Sequence, residues 1–201
     1  MKDNLPLKFI TSIIIILSGI LLGCTPDQPK VAYAYNTHPA FTWGKIEFYG
    51  NYYGNYNNPN NVISITLFSD SITENQSGSI LGIGQKLIIE DIFISPTDTI
   101  IPAGNYTVSI KKEKQSFAPG RIINVNNESE TVGSRIYYFE KISKKSITSL
   151  IIDGSFDISY IDTTTNIICN LITEDKLQIK GKFKGKLKFI NKSISTPKIA
   201  P

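Results

Sequence analysis

Thiol and imidazole chemistry has few candidate residues in this chain. The two cysteines are Cys24 and Cys169, and His38 is the single histidine. Cys169 lies in an apolar, strand-like run, so we interpret it as a buried small side chain rather than a nucleophile. The sequence has no Gly-x-Ser-x-Gly, His-Glu-x-x-His or Walker motif. We therefore expect no cofactor, no metal site and no enzymatic activity.

Carboxylates are the remaining route to catalysis. The adjacent acid pairs are Glu90-Asp91 and Glu174-Asp175. Neighbours in a strand point to opposite faces, and residues in turns face solvent, so we interpret both pairs as solvated acids. An accessory glycan-active enzyme stays open as an alternative, because two acids from distant strands can meet in space.

Aromatic side chains concentrate in one segment rich in Asn and Gly. The candidate glycan-binding residues are Trp43, Tyr49, Tyr52, Tyr53 and Tyr56. Sugar rings stack on flat aromatic faces and bond to amides, so this composition favours glycan recognition. A pair of strands whose aromatic residues cap the core has the same composition. Tyr52 and Tyr53 point to opposite faces of an extended segment, so we do not expect all five to form one platform.

Lysines alternate with apolar or glycine residues near the end of the chain. The lysine stripe consists of Lys180, Lys182, Lys184, Lys186 and Lys188. In an extended strand all five project from one face, and Gly181 and Gly185 leave room for close approach on the other. Residues 176–201 carry 8 basic side chains and no acidic one. This predicts a surface for phosphate, sulfate or uronate groups, and the alternative is a sheet face whose lysines prevent edge-to-edge aggregation.

The amino-terminal 23 residues predict export and lipidation. Two lysines precede the apolar run Phe9–Leu22, which is shorter than the roughly 20 residues of a membrane-spanning helix. The run leads into Gly23-Cys24, which resembles a bacterial lipobox. We therefore interpret Cys24 as the lipidated first residue of the mature chain, carrying acyl chains such as palmitate. Two or more acyl chains anchor a protein stably, so we expect the mature chain to be tethered to the membrane. Residues 24–40 are then a lipidated tether.

The elements that must position these groups are strands. Alternating apolar and polar residues predict strands at 45–49, 62–68, 87–94, 105–111, 122–125, 135–140, 146–152, 155–161, 167–172 and 177–189. We predict one all-β domain over residues 41–190, an antiparallel β-sandwich or flattened barrel, followed by a tail at 191–201. The polar stretches 111–116 and 126–130 are expected to be exposed loops.

The order of these features resembles that of the small all-β lipoproteins of Bacteroidota. The resemblance rests on the Tyr/Gly-rich segment Phe48–Gly54, on Pro-Ala-Gly-Asn-Tyr-Thr at 102–107 and on Ile-x-Gly-x-Phe-x-Gly-x-Leu at 179–187. It covers most of residues 40–190 and implies a lipid-anchored all-β protein of the outer membrane. It brings no catalytic residues with it.

Three Asp-Ser/Thr triplets resemble the O-glycosylation acceptor pattern of exported proteins in the same group. The candidate acceptor hydroxyls are those of Ser71, Thr99 and Thr163, each at a predicted loop or strand end. A transferase could reach them there, and modification would add sugar to the protein whatever it binds.

The sequence therefore predicts a cell-envelope lipoprotein, anchored in the outer membrane, that is a non-enzymatic binding module for a glycan or an envelope partner. A structural subunit of an envelope complex is the alternative. One acidic residue after Cys24, Asp27, leaves both the periplasmic and the cell-surface face open. Nucleic acid is not an expected partner, because the chain is exported and its lysine face lacks aromatic residues.

Overall fold

The computed structural model describes residues 35–69, 71–140 and 146–193. The predicted leader, Cys24, most of the tether, Asp70 and most of the tail lie outside these residues. The described residues form strands and one short 3-10 turn at Gly54–Tyr56, and no helix among them is long and apolar enough to cross a membrane. The strands, in chain order, are β1 (Ala40–Phe41), β2 (Trp43–Gly50), β3 (Asn61–Phe68), β4 (Ile72–Glu74), β5 (Ile80–Gly82), β6 (Gly84–Ile94), β7 (Gly104–Val108), β8 (Ser116–Phe117), β9 (Arg121–Val125), β10 (Glu128–Val132), β11 (Arg135–Phe139), β12 (Ser146–Ile161), β13 (Thr164–Thr173), β14 (Gln178–Ile179), β15 (Lys182–Gly185) and β16 (Lys188–Asn191).

Side-chain alternation explains why these segments are strands. In β2 one face is buried, and this face carries Gly44, Ile46 and Phe48. The residues between them are half-buried, as expected for a strand with one face on a core. β3 is buried along its whole length. Both of its faces are therefore covered, and its backbone pairs with β2 on one side and with β6 on the other.

Five strands close into a small barrel. The ring of pairings runs β12, β7, β8, β6, β11 and back to β12. β12 closes the ring because it is 16 residues long and pairs with β11 through its first part, as at Leu150 and Arg135, and with β7 through its second part, as at Ile158 and Gly104. The predicted all-β barrel-type fold is confirmed.

The remaining strands extend the sheet on both sides, and the two ends of the chain join it together. β13, β15 and β1 follow β12 on one side, and β3, β2 and β16 follow β6 on the other. β1 pairs with β15 and β2 pairs with β16, both in parallel. Because only Thr42 separates β1 from β2, both edges of the sheet are built from the same two chain segments. The antiparallel pairing predicted from the sequence does not include this parallel closure.

One apolar core fills the space between the strands. It draws on every long strand and includes Ile65, Ile89, Tyr106, Phe156 and Ile167, all nearly or fully buried. A second, smaller cluster of Tyr53, Val62 and Phe93 packs separately from it. The predicted position of Cys169 in a core is confirmed, because its side chain is 1% exposed.

Several predicted boundaries were wrong, among them the end of the strand predicted at 105–111, since β7 ends at Val108. Residues 146–152 and 155–161 belong to one strand. It continues through a bulge between Ile151 and Asp153 and then through Gly154, which has a positive φ of 109°. Residues 177–189 form three short strands rather than one. Residues 126–130 are a loop only in part. Asn126 and Asn127 have φ of 51° and 67°, the left-handed pair that a tight hairpin turn requires. β10 begins directly after them, at Glu128, and pairs with β9.

Candidate functional site

Four of the five aromatic candidates form one cluster. Tyr52 meets Tyr53 edge to face at a ring-centroid distance of 4.9 Å, and Tyr49 and Tyr56 extend the series at 6.2 Å and 6.4 Å. Tyr52 and Tyr53 would point apart in an extended segment, but the chain turns there, so their rings meet. The five candidates still do not form one platform, because Trp43 lies elsewhere.

Trp43 does not join this cluster. It lies at the other end of β2 from Tyr49, about 20 Å away at a rise of about 3.3 Å per residue. Its ring stacks on Phe68 at 3.8 Å, and its indole N–H donates to the carbonyl of Ile72 at 2.8 Å. Trp43 therefore fixes the start of β2 against the β4 segment.

Tyr53 is the most buried member of the cluster. Its side chain is 1% exposed, and its hydroxyl donates to an Asp91 carboxylate oxygen at 2.5 Å. The Lys112 ammonium lies 4.0 Å from the centroid of the Tyr53 ring, a cation–π geometry. Burial, followed by the Asp91 charge, raises the pKa of Tyr53 far above its ordinary value. Tyr56, by contrast, is 62% exposed and has ring surface available to a ligand.

A β-bulge turns both acids of the Glu90-Asp91 pair toward one cavity. Ile63 pairs with Ile92, but Ile65 pairs with Ile89, so β6 has one extra residue at this point. Asp91 absorbs it with a left-handed φ of 52°. A non-glycine residue with such a φ inside a strand is strained and is often found at a functional site.

The interpretation of Glu90 and Asp91 as solvated acids was therefore wrong. Asp91 is 8% exposed. Glu90 forms an ion pair with Arg135 at 2.7 Å and accepts the backbone N–H of Gly133 at 2.8 Å. Burial alone would lower the pKa of Arg135, but the charges and hydrogen bonds of Glu90 and Tyr137 together outweigh it, and the pKa is raised above its usual value.

The cavity lies between β6 and the β9–β10 hairpin, and we call it the hairpin cavity. Its volume is about 220 Å³. Tyr53, Glu90 and Asp91 form its polar floor, and Arg121 and Glu130 add a donor and an acceptor from the hairpin. The hairpin also contributes an apolar wall, made of Ile123, Val125 and Val132.

The hairpin presents these side chains because of its register. Arg121 pairs with Val132 and Ile123 pairs with Glu130, and paired residues share a face. Ile122, on the opposite face, is 59% exposed. The cavity thus combines hydrogen-bond donors, acceptors and an apolar surface within one concave space, which is the composition of small-ligand sites.

The acids of the second pair have structural roles. Glu174 accepts the backbone N–H of Leu150 at 3.1 Å, and Asp175 accepts the hydroxyl of Ser149 at 3.0 Å. They connect the turn after β13 to β12. Among the described residues, no three His, Cys, Asp or Glu side chains are grouped as a metal ligand set.

The lysine stripe is exposed along its whole length. Lys182 and Lys184 lie on β15 and Lys188 on β16, and Ile179 and Phe183 on the opposite face are buried. None of the three ion pairs found within residues 35–69, 71–140 and 146–193 includes a stripe lysine. Gly181 provides the predicted close approach, since a Cβ there would lie 2.8 Å from the Phe41 ring.

The candidate acceptor residues Ser71, Thr99 and Thr163 are all exposed. Thr99 lies in the loop between β6 and β7, and Thr163 lies in the tight turn between β12 and β13, where Asp162 has a φ of 53°. These positions keep all three hydroxyls within reach of a modifying enzyme.

No protein family, curated protein or solved structure matches this chain. The geometry of the sites is therefore the basis for the functional argument. Of the residues that form the hairpin cavity, the sequence analysis named Tyr53 as a binding residue, read Glu90 and Asp91 as solvated, and did not name Arg121. The available signal for Arg121 was its alternation with Ile123 and Val125 before an Asn-Asn turn.

Proposed function

We propose that this protein is a lipid-anchored component of the outer membrane whose β domain is a non-enzymatic binding module, and that its ligand is a glycan. The anchor is Cys24, as the lipobox resemblance implies. The observation that carries the proposal is the convergence of Tyr53, Asp91 and Arg121 in the hairpin cavity.

The chemistry of the cavity matches that of a sugar ring. Sugar hydroxyls donate to carboxylates and accept from guanidinium groups, which Asp91, Glu90 and Arg121 supply. The C–H face of a sugar packs on apolar and aromatic surface. Ile123 provides such surface in the cavity, and the exposed ring of Tyr56 provides more beside it, 6.4 Å from the Tyr53 ring.

Binding to an array of bacterial and host glycans tests the proposal, using residues 25–201, which retain every described strand. Arg121→Gln removes the guanidinium and Tyr56→Ala removes the exposed ring, and we expect each to weaken retention about tenfold, equivalent to about 1.4 kcal/mol. Lys114→Gln is the control, because Lys114 is exposed and outside the cavity. Undiminished retention in both Arg121→Gln and Tyr56→Ala would contradict this site.

A second candidate is the accessory glycan-active enzyme. It is favoured by one observation, that Glu90 and Asp91 line the same cavity instead of facing opposite sides of β6. A pair of carboxylates is the usual equipment for glycoside hydrolysis. Release of reducing sugar from a bound glycan, lost in Glu90→Gln or Asp91→Asn, would favour the enzyme, whereas retention without product would favour the binding module.

The positive charge of the lysine stripe favours binding of an envelope component that carries phosphate, sulfate or uronate groups. Lys182→Gln with Lys184→Gln should reduce binding to lipopolysaccharide and lower its salt dependence, because fewer charge contacts remain. Lys114→Gln with Lys176→Gln removes the same charge from other exposed positions. Equal losses in the two double variants would indicate a net-charge effect and count against the stripe.

Protease accessibility on intact and lysed cells tests which membrane face carries the protein. Cleavage on intact cells would favour a surface role in capturing external glycans. Protection until lysis would favour a periplasmic role, with an envelope component as the partner.

A further inference from the structure

A second cavity opens where the outer strands β2, β13 and β16 approach the end of the barrel strand β12, and we call it the barrel mouth. Its wall includes Ile46 of β2, Tyr160 of β12, Leu187, Phe189 of β16 and Ile100 of the β6–β7 loop. Its volume is about 400 Å³. Sites for small molecules typically measure about 300–1,000 Å³, so the barrel mouth is large enough to hold a ligand.

The barrel mouth exists because the sheet divides there. β15 pairs with β13 as far as Gly185, which lies opposite Thr165. The chain then leaves β13, and β16 pairs with β2 from Lys188 onward. Residues on the core face of the separating strands are consequently left at an opening.

These core-facing residues are solvent-exposed in spite of their position. Phe189 lies beside Ile46 in the parallel register and shares its core face, yet it is 51% exposed. Tyr160, which shares a face of β12 with the buried Phe156 and Ile158, is 41% exposed. Ile100, which lines the cavity from the loop and not from a core face, is 66% exposed. Single apolar residues on a surface are ordinary, but an apolar group that surrounds a cavity and continues the core indicates a binding site.

The lining restricts the class of ligand. Besides the phenol of Tyr160, whose hydroxyl already donates to the Ile101 carbonyl at 2.6 Å, its polar side chains are the hydroxyls of Thr99 and Thr165. A sugar or a peptide would lose hydrogen bonds with water that this lining does not replace. A hydrocarbon chain has no hydrogen bonds with water to lose. At about 30 Å³ for each group the size of a water molecule, a volume of about 400 Å³ holds roughly 13 such groups.

The charged side chains on the segment that contains Leu187 and Phe189 are all positive. Lys186 and Lys188 alternate with Leu187 and Phe189 and are exposed. Residues 176–193 carry no acidic side chain. The acids nearest the lining in sequence belong to its other walls: they are Glu47 beside Ile46 on β2, Asp98 on the β6–β7 loop and Asp162 on the β12–β13 hairpin.

We propose that the barrel mouth binds one acyl chain of an anionic amphiphile. The chain packs against Tyr160, Leu187 and Phe189, and the carboxylate or phosphate head group lies at the rim. Lys186 and Lys188 leave the strand on the face away from the lining, and their long side chains reach the head group around the strand. The ligand is either a free fatty acid or a lipid drawn from a bilayer, since both present this chemistry. The site is separate from the hairpin cavity and does not depend on the function proposed for it.

Displacement of dansyl-undecanoic acid by oleate, with residues 25–201, tests the acyl site. Ile100→Ser and Phe189→Ser should each weaken oleate binding about tenfold by making the lining polar. Ile110→Ser is the matched control, because Ile110 is also a loop isoleucine, is 80% exposed and lies outside the barrel mouth. Ile100 is exposed enough that its substitution should leave the fold intact, and circular dichroism checks this.

The head group is tested separately. Lys186→Gln with Lys188→Gln should weaken oleate binding several-fold but leave oleyl alcohol, which has the same chain without charge, unaffected. Sedimentation with phosphatidylcholine vesicles, with and without phosphatidylglycerol, tests the bilayer source with the same variants. Binding of free oleate that is lost in Ile100→Ser supports a fatty-acid ligand, and vesicle binding alone with the same loss supports a bilayer lipid.

Two outcomes would overturn the proposal. One is that neither oleate nor anionic vesicles bind. The other is that Ile100→Ser and Phe189→Ser bind them as well as Ile110→Ser does.

Discussion

The hydroxyl of Tyr53 donates a 2.5 Å hydrogen bond to the carboxylate of Asp91, the residue that bends β6 with its left-handed φ. This bond connects the turn after β2 to the bulge in β6, two segments 38 residues apart. Both groups are buried, so the bond positions the carboxylate on the floor of the hairpin cavity.

Tyr53→Phe should therefore destabilise the fold. The substitution keeps the ring and its contacts with Val62 and Phe93 but leaves a buried carboxylate oxygen without this donor. A loss of about 1–3 kcal/mol in the free energy of unfolding is expected, measured by urea denaturation. Tyr56→Phe is the matched control, because Tyr56 is 62% exposed, and its effect should stay within about 0.5 kcal/mol. Equal effects would mean that the Tyr53 bond adds nothing to stability.

The ion pair between Glu90 and Arg135 should contribute more than a surface pair. Its side chains are 18% and 15% exposed and lie 2.7 Å apart. A double-mutant cycle with Glu90→Gln and Arg135→Gln should give a coupling free energy of about 1–3 kcal/mol. The same cycle on Lys111 and Glu113, an exposed pair at 3.8 Å, should give less than about 1 kcal/mol.

Similar coupling in the two cycles would contradict this ranking. It would mean that desolvation of the Glu90–Arg135 pair cancels its shorter distance. Thermal unfolding of the four proteins in each cycle, at low and at high salt, distinguishes a buried pair that is weakened by desolvation from an exposed pair that is weakened by screening. Salt screens the exposed pair more than the buried one.

Local sequence signals predicted most of the strands but not how they close. Alternation identified β2, β3 and β13 because each has a face on the core. The parallel pairing of β1 with β15 joins Phe41 to Phe183, and no local pattern carries information across that distance. The bulge at Asp91 was missed for a related reason: aspartate tolerates a left-handed φ without requiring it, and only the pairing with β3 imposes it.

The candidate site was predictable in part. The aromatic segment was visible in the composition, but Trp43 lies at the far end of β2 because an extended strand separates its two ends. The barrel mouth had no signal, since Tyr160, Leu187 and Phe189 alternate as ordinary core residues do. Their exposure follows from where β15 and β16 change partners, which is a property of the tertiary fold.

The closure of the sheet should depend on the absence of a side chain at Gly44. A Cβ there would lie 2.7 Å from the Thr66 carbonyl oxygen and 2.9 Å from Leu187. Gly44→Ala should therefore cost about 1–3 kcal/mol in unfolding free energy through overpacking. Gly185→Ala is the control on the same closure, because its nearest neighbour is a Phe183 ring atom at 3.2 Å. A Gly185→Ala effect as large as that of Gly44→Ala would contradict this explanation.

Cys169 should make the protein less stable as the pH rises above 9. Burial, with a smaller effect of the Asp157 charge, raises the pKa of the thiol from 9.0 to about 12. Between these values the unfolded chain releases the thiol proton while the folded chain keeps it. The folded state is therefore disfavoured as the pH rises, by about 1 kcal/mol from pH 9 to pH 10 for this group.

Urea denaturation of the wild type and of Cys169→Ala across this pH range measures the effect. The alanine variant is expected to be less stable at neutral pH because it leaves a small cavity, but its stability should fall less steeply from pH 9 to pH 10. Tyr106→Phe is the control: burial raises the pKa of Tyr106 as well, but from an ordinary value of 10.0, so its share of the slope lies mainly above pH 10. Identical slopes for the wild type and Cys169→Ala between pH 9 and pH 10 would mean that the thiolate is accommodated in the folded state, and hence that the core around Cys169 admits water.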